Sequence, residues 1–517
     1  MSSDRRVRSV HHSRRPVPGI EALEPRRLLA VDVVEDIFPG AGDSLPDDLV
    51  DVRGTLFFVA THPKFGRELW KSGGRASNTD IVVDLRPGMD SSEPANLTAV
   101  GRTLFFTAGT RKAGDELWRT DGTAAGTRIV KDINPGKASS DVANLTDVNG
   151  TLYFSATDGV HGDELWTSDG TAAGTRMVRD IDAWIDYAGL AASSRPDGFV
   201  AFNGAVFFRA VSHQYDYNYT SQLWRTDGTE AGTYEVWDGD VNPAPLTVAG
   251  HNLFFVGSLN RSAQILWATG GTYRRTHYVQ QVDRWNVEMY AQGDTLVYTG
   301  ADALWRSDGT TDGTAELKHL DPNRAQSLPS ALTAFGGRVY FGVDYGQVDT
   351  SAIWRTDGTP KGTQSVYPFY FPERPERDQF AVIGTTLFVS SGSRGLVQSD
   401  GTTRGTAQVK RLGYGSNVLS IVASGNALFM AANSAKFGRE LWVLPVPAAK
   451  SSRTAAAATA TAVSRAAGGA SPATTGAGTA RAVRVSASAV FAAPPRPSDD
   501  GEGLLDFQDD RPAGVGA

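Results

Sequence analysis

Apolar residues along the middle of this chain come in short runs, four to a unit, separated by turn signals. The unit around Trp166 shows the pattern. Residues 145–148 (LTDV) lead to Asn149-Gly150; residues 151–156 (TLYFSA), 164–167 (ELWT), the turn SDGTAAGT and residues 176–181 (RMVRDI) follow. Asn-Gly between apolar runs predicts a two-residue hairpin turn, because both central residues of that turn take positive φ. Arg53-Gly54, Asn203-Gly204 and Gly336-Gly337 hold the same place in other units. In DGTxxGT the Asp and Thr side chains can bond backbone amides, and the glycines are expected to take left-handed angles. The four runs, lettered a to d, predict one antiparallel meander. Run b reads LFF or LYF with no polar interruption, as expected of a sheet covered on both faces.

The unit recurs along the chain. Its phrase stands at Trp70 (RELWKSGG), Trp118, Trp166, Trp224 (SQLWRTDGT), Trp267 (QILWATGGT), Trp305 (DALWRSDGT), Trp354 (SAIWRTDGT), Val397 (RGLVQSDGT) and Trp442 (RELWVLP), at intervals of 38 to 58 residues. Such a period marks a propeller or an array. Four-stranded sheets, each covered by its neighbours and repeated in series, make an all-β, closed β-propeller of antiparallel blades. The ends agree with a ring. Residues 31–40 (VDVVEDIFPG) match run d at 128–136 (RIVKDINPG) without a preceding tryptophan phrase, whereas RELWVLP is a run c with no run d after it. The N-terminal strand is therefore expected to complete the last blade, which removes the open sheet edges. Counting phrases predicts nine blades, with eight and one irregular unit as the alternative.

The phrase resembles the ELWxxDGT repeat of bacterial proteins over roughly residues 31–444. Glu116, Leu117, Trp118, Asp121, Gly122 and Thr123 fit it fully, as do Glu164, Leu165, Trp166, Asp169, Gly170 and Thr171; Gly270 and Val397 depart from it. Residues 23–30 (LEPRRLLA) are similar to the LEPR-XLL motif near the start of large bacterial surface proteins. That resemblance implies an extracellular or cell-surface location.

Composition adds boundaries. Residues 1–30 form a basic segment carrying the LEPRRLLA motif, residues 31–447 the propeller, and residues 448–517 an Ala/Ser/Thr/Gly-rich tail. With few large apolar residues the tail is expected to be disordered, a short helix around 455–467 being the alternative. The arginines of the first segment are not followed by the apolar core of an ordinary signal peptide. No apolar run approaches the roughly 18 residues that span a bilayer as a helix. A net charge of −7 argues against a nucleic-acid partner. The chain has no cysteine, which removes disulfides, thiolate metal sites and cysteine nucleophiles.

Little reads as catalysis. The eight histidines show neither HExxH spacing nor a zinc pair, GTAAGT lacks the lysine of a phosphate loop, and no GxSxG elbow occurs. A phrase repeated in every unit reads as scaffold, the tryptophan packing and DGT turning the chain. The expectation is no enzyme and no cofactor, with calcium as the alternative. The nearest approach to a calcium loop is residues 238–242 (DGDVN), where Pro243 replaces the glycine and Ala249 stands where a bidentate acid belongs.

The copies differ on one side. In a meander the a–b and c–d turns lie on one face of the ring and the b–c and d–a loops on the other. The first set is nearly constant in length. The second includes 211–221 (VSHQYDYNYTS), 182–198, 273–288 and 367–378, while the b–c loop near Gly300 is nearly absent. This variable face carries the candidate ligand-binding residues Trp184, Tyr187, Tyr215, Tyr217, Tyr219, Trp285, Tyr367 and Tyr370. Aromatic rings among Asp, Asn and Arg suit contact with a polysaccharide or an envelope protein. The expectation is a monomeric propeller acting as a binding scaffold. The alternatives are a propeller lyase or glycosidase, with Asp240, Asp283 and Arg284 as first suspects, and a surface-layer spacer.

Overall fold

The computed structural model describes residues 31–446, apart from 186–188, 190, 213–219, 238–241, 260–262, 284–286, 321–327, 346–349, 371–379, 391–394 and 410–416. The basic segment with LEPRRLLA and residues 447–517, the tail among them, lie outside the described residues. The structure is a nine-bladed β-propeller. Blades 1 to 8 span 47–81, 95–131, 143–179, 197–237, 247–282, 289–319, 328–370 and 380–408, each a four-stranded antiparallel sheet in chain order a-b-c-d. Blade 9 takes three strands from 418–445 and its fourth from the N-terminus, Asp32 pairing with Val443 and Val33 with Trp442. Strand a of each blade lies against strand a of the next all the way round, blade 9 against blade 1 included.

There is no single central core. Nine apolar clusters occupy the nine interfaces between consecutive blades; Tyr153 and Leu165 of blade 3, for instance, pack with Phe208 and Trp224 of blade 4. The uninterrupted run b explains this arrangement, since both of its faces are covered: Leu56 to Ala60 and Leu152, Phe154 and Ala156 are all sealed from solvent. Trp70, Trp166, Trp224, Trp267 and Trp354 are buried in the same layers, where truncation of such a ring typically costs about 3–5 kcal/mol.

The turns hold one face rigid. Asn149 and Gly150 take φ of 55° and 86°, Arg53 and Gly54 of 53° and 88°, Asn203 and Gly204 of 48° and 75°, as a two-residue hairpin turn of this kind requires. In the c–d turn Asp121 Oδ1 accepts the Thr123 N–H at 2.9 Å and its hydroxyl at 2.7 Å, and the Gly126 N–H reaches Thr123 Oγ1 at 3.0 Å. The same bonds recur at Asp169, Asp227, Asp308, Asp357 and Asp400. They hold each of these carboxyls below the usual range, led by the Thr hydroxyl at Asp121 and by the Thr N–H at Asp308. One detail differs from expectation. Only the first glycine is left-handed, Gly122 at φ 90°. The second, Gly126, is required for space, because a Cβ there would overlap the Asp121 carboxylate. The first glycine also ties blades together: the Gly122 carbonyl accepts from Lys71 of the preceding blade, Gly170 from Arg119 and Gly228 from Arg176.

Strands c and d carry a bulge that matters for the site. Register shifts between Leu117 and Trp118, Leu165 and Trp166, Leu223 and Trp224, and Leu266 and Trp267. The extra residue of strand d (Val130, Val178, Val236 or Val279) is buried. The residue after it is re-aimed, as bulges do, toward the tryptophan of the following blade.

Candidate functional site

The variable face is anchored over only part of the ring. Glu68, Glu116, Glu164 and Glu440, the first letter of the ELW phrase, are sealed from solvent. Each receives the loop that leads from strand d to the next blade. Glu164 accepts the N–H groups of Ile181 at 2.7 Å and Ser194 at 3.0 Å and the Ser194 hydroxyl at 2.6 Å. Glu116 holds Ile133, Asn134 and Ser140, and Glu440 holds Ile37, Phe38 and Ser44 in the same way. Burial pushes the carboxyls of Glu68, Glu164 and Glu440 up to about 7, against the opposing pull of these hydrogen bonds. Glu116 is shifted the same way for the same reason. In blades 4 to 8 the position is Gln222, Ile265, Ala303, Ala352 and Gly395. Blades 9, 1, 2 and 3 thus form a regular arc with tethered loops, and the other five blades lack the carboxylate tether.

Of the predicted site residues, the structure describes Trp184, Tyr367 and the strand position of Tyr370. Trp184, in the loop from blade 3 to blade 4, is 46% exposed, and its neighbour Ile185 is 62% exposed. Its carbonyl accepts the Ala192 N–H at 2.8 Å. Tyr367 does not begin a loop: strand d of blade 7 continues through Tyr370, which pairs with Thr350, and Tyr367 packs half-buried against the cluster holding Val397. Tyr187, Tyr215, Tyr217, Tyr219 and Trp285 lie outside the described residues, as do Asp240 and Arg284. Of the calcium-like string, 238–241 lie outside them too, and Asn242 Oδ1 accepts from the Ser221 N–H and hydroxyl. Sequence reasoning passed over Met89 and Val160, exposed at 79% and 73% on a d–a and a b–c loop.

It also passed over a cavity. A space of about 230 Å³ opens between strand d of blade 5 and blade 6, lined by Gln280, Gln281, Asp283, Tyr298, Gly300 and Trp305 among others. Asp283 and Gly300 belong to the d–a and b–c loops, so the cavity sits at the variable face. Asp283 is exposed, and one of its oxygens accepts the Ala301 N–H at 3.2 Å. Tyr298 is only 1% exposed, and its hydroxyl has no hydrogen-bond partner among the described residues. Burial, with a smaller contribution from the Asp283 charge, raises that phenol well above its ordinary value and keeps it neutral. The tyrosine faces Trp305 across the strand pair, the rings nearly parallel at 22° with centroids 6.2 Å apart. In six other blades the tyrosine position is phenylalanine: Phe58, Phe106, Phe154, Phe208, Phe255 and Phe341 each oppose the blade's tryptophan. The signal was present in the sequence as LVY where other copies read LFF.

No protein-family model matches the chain, and no curated protein matches it either. Among solved structures it is similar to the computationally designed Ika8 protein, at 13% identity and a TM-score of 0.40, covering 69% of this chain and 97% of that one. It is similar also to BamB from Moraxella catarrhalis (11% identity, TM-score 0.40, 71% and 99% covered). A puromycin hydrolase shows 12% identity and a TM-score of 0.37; the match covers 66% of this chain and 59% of the hydrolase. Among the described residues no helix is long and apolar enough to cross a membrane.

Proposed function

We propose that this chain is an exported or cell-surface β-propeller that acts as a binding scaffold, meeting a polysaccharide or an envelope protein through the face bearing the b–c and d–a loops. The observation that carries this reading is the contrast between the two faces. One is held by the same Asp–Thr turn in six blades. The other varies from blade to blade. It bears Leu45, Met89, Val160, Trp184 and Ile185, five of the nine large apolar side chains exposed among the described residues, and the cavity at Trp305. Exposed apolar groups among polar loops are what a recognition surface requires. The LEPRRLLA resemblance supports a place at the cell surface.

The test is a glycan array and a cell-surface binding assay on the full chain and on a variant with Tyr215, Tyr217, Tyr219 and Trp184 all changed to alanine. The expected result is saturable binding lost in the variant with the thermal midpoint kept. Equal binding by both chains contradicts the reading. Turnover of released sugars in a parallel screen would replace it with an enzyme acting on glycans.

A further inference from the structure

We propose that the cavity between blades 5 and 6 binds a primary alkylammonium group, which rests on the reading of the variable face as a binding surface. The argument comes from comparing equivalent interfaces around the ring. At several interfaces the residue after the strand d bulge covers the tryptophan of the next blade. At three interfaces it is a cation: Lys131 Nζ lies 5.5 Å from the Trp166 ring centre and the Arg179 guanidinium 5.8 Å from that of Trp224, while Lys318, before Trp354, is exposed. At two more it is apolar, Trp237 packing on Trp267 and Val83 beside Trp118. Register gives the equivalent residue at Trp305 without ambiguity. Lys131 pairs with Leu117, Arg179 with Leu165, and Gln280 with Leu266. Gln280 is shorter than either cation and uncharged, and beside it the cavity opens.

Three further features give the cavity a preference for positive charge. The Trp305 ring, half-buried, offers a face of the kind that attracts ammonium groups. The Tyr298 hydroxyl, enclosed and unpartnered among the described residues, can accept an N–H, as can the side-chain oxygens of Gln280 and Gln281. Asp283 places a carboxylate at the mouth, and no basic side chain pairs with it among the described residues. The opening is kept by Gly300, where a Cβ would stand 2.8 Å from Trp305 Nε1 and 3.1 Å from Cδ1. A space of 230 Å³ is the size for one ammonium head and its alkyl stem. The ligand takes the place that the chain's own Lys131 takes at an equivalent interface of the repeat.

The experiment is calorimetric titration of the full chain with n-butylammonium, n-butanol and Nα-acetyl-lysine amide. Saturable binding of butylammonium, with butanol at least about tenfold weaker, is expected. Gln280→Lys, which supplies the covering cation from within, should abolish binding and leave the thermal midpoint unchanged or higher. Asp283→Asn should weaken binding by about tenfold. Tighter binding of the lysine amide marks a protein-borne side chain as the source, and equal binding marks a free amine; either supports the assignment. Equal affinity for butanol, or undiminished binding by Gln280→Lys, overturns it. If butylammonium fails while glycan or cell binding persists in the array, this assignment falls and the scaffold reading stands. The converse result removes the scaffold reading alone.

Discussion

At the scale of single residues, chemistry follows from what each side chain can reach. Asp121 binds the chain two residues on, so it shapes a turn. Gly122 combines φ of 90° with Phe57 only 3.0 Å from where a Cβ would stand. Gly122→Ala is therefore expected to lower stability by about 1–3 kcal/mol, read from denaturant unfolding. Tyr298 predicts the opposite sign. Its buried hydroxyl lacks a partner among the described residues, and Tyr298→Phe restores the ring found in six other blades. The expected gain is about 1–2 kcal/mol in the absence of ligand, measured by the same unfolding curve. Residue roles were legible in the sequence where the partner is local, as with Asp and Thr of the turn. They were not where the partner belongs to another blade: the pairing of Gln280 with the empty flank of Trp305 depends on a strand bulge, and no periodicity reports it.

At the scale of elements, strands a to d could be read from alternation and turn residues because each is bounded by a local signal. Loop structure could not. The d–a loops of the regular arc are shaped by Glu68, Glu116, Glu164 and Glu440, which lie 17 or more residues away in the chain from most of the groups they hold. These carboxyls also predict a pH dependence. Their folded-state values, raised from 4.5 to about 7 at three of the sites, mean that the folded chain holds the proton more tightly than the unfolded one. Their contribution is thus fully present below pH 4.5 and lost as pH rises through 7. The turn carboxyls act oppositely. Asp121 and its equivalents are depressed from 3.8, so their contribution is present above that pH and lost as pH falls below it. The thermal midpoint is expected to peak between about pH 4 and 6. Glu164→Gln should flatten the decline of the unfolding free energy between pH 6 and 8 by about 0.7 kcal/mol per pH unit, and an unchanged slope would count against the tether.

At the scale of the molecule, the blade count was legible because every copy carries its own phrase, and ring closure because the chain's first run is the strand d that its last phrase lacks. The identity of a ligand was not, since it depends on loops whose sequence has no repeat to compare with. Closure brings Val33 beside Trp442. The chain has no cysteine, so a single engineered pair reports on it cleanly. Asp32→Cys with Val443→Cys places two thiols on directly opposed residues of an antiparallel pair. The ring predicts that mild oxidation gives one intramolecular disulfide in nearly every molecule, with stability raised by about 3–5 kcal/mol. Thiols that stay free in the folded chain, or that link only between molecules, would contradict the closed ring.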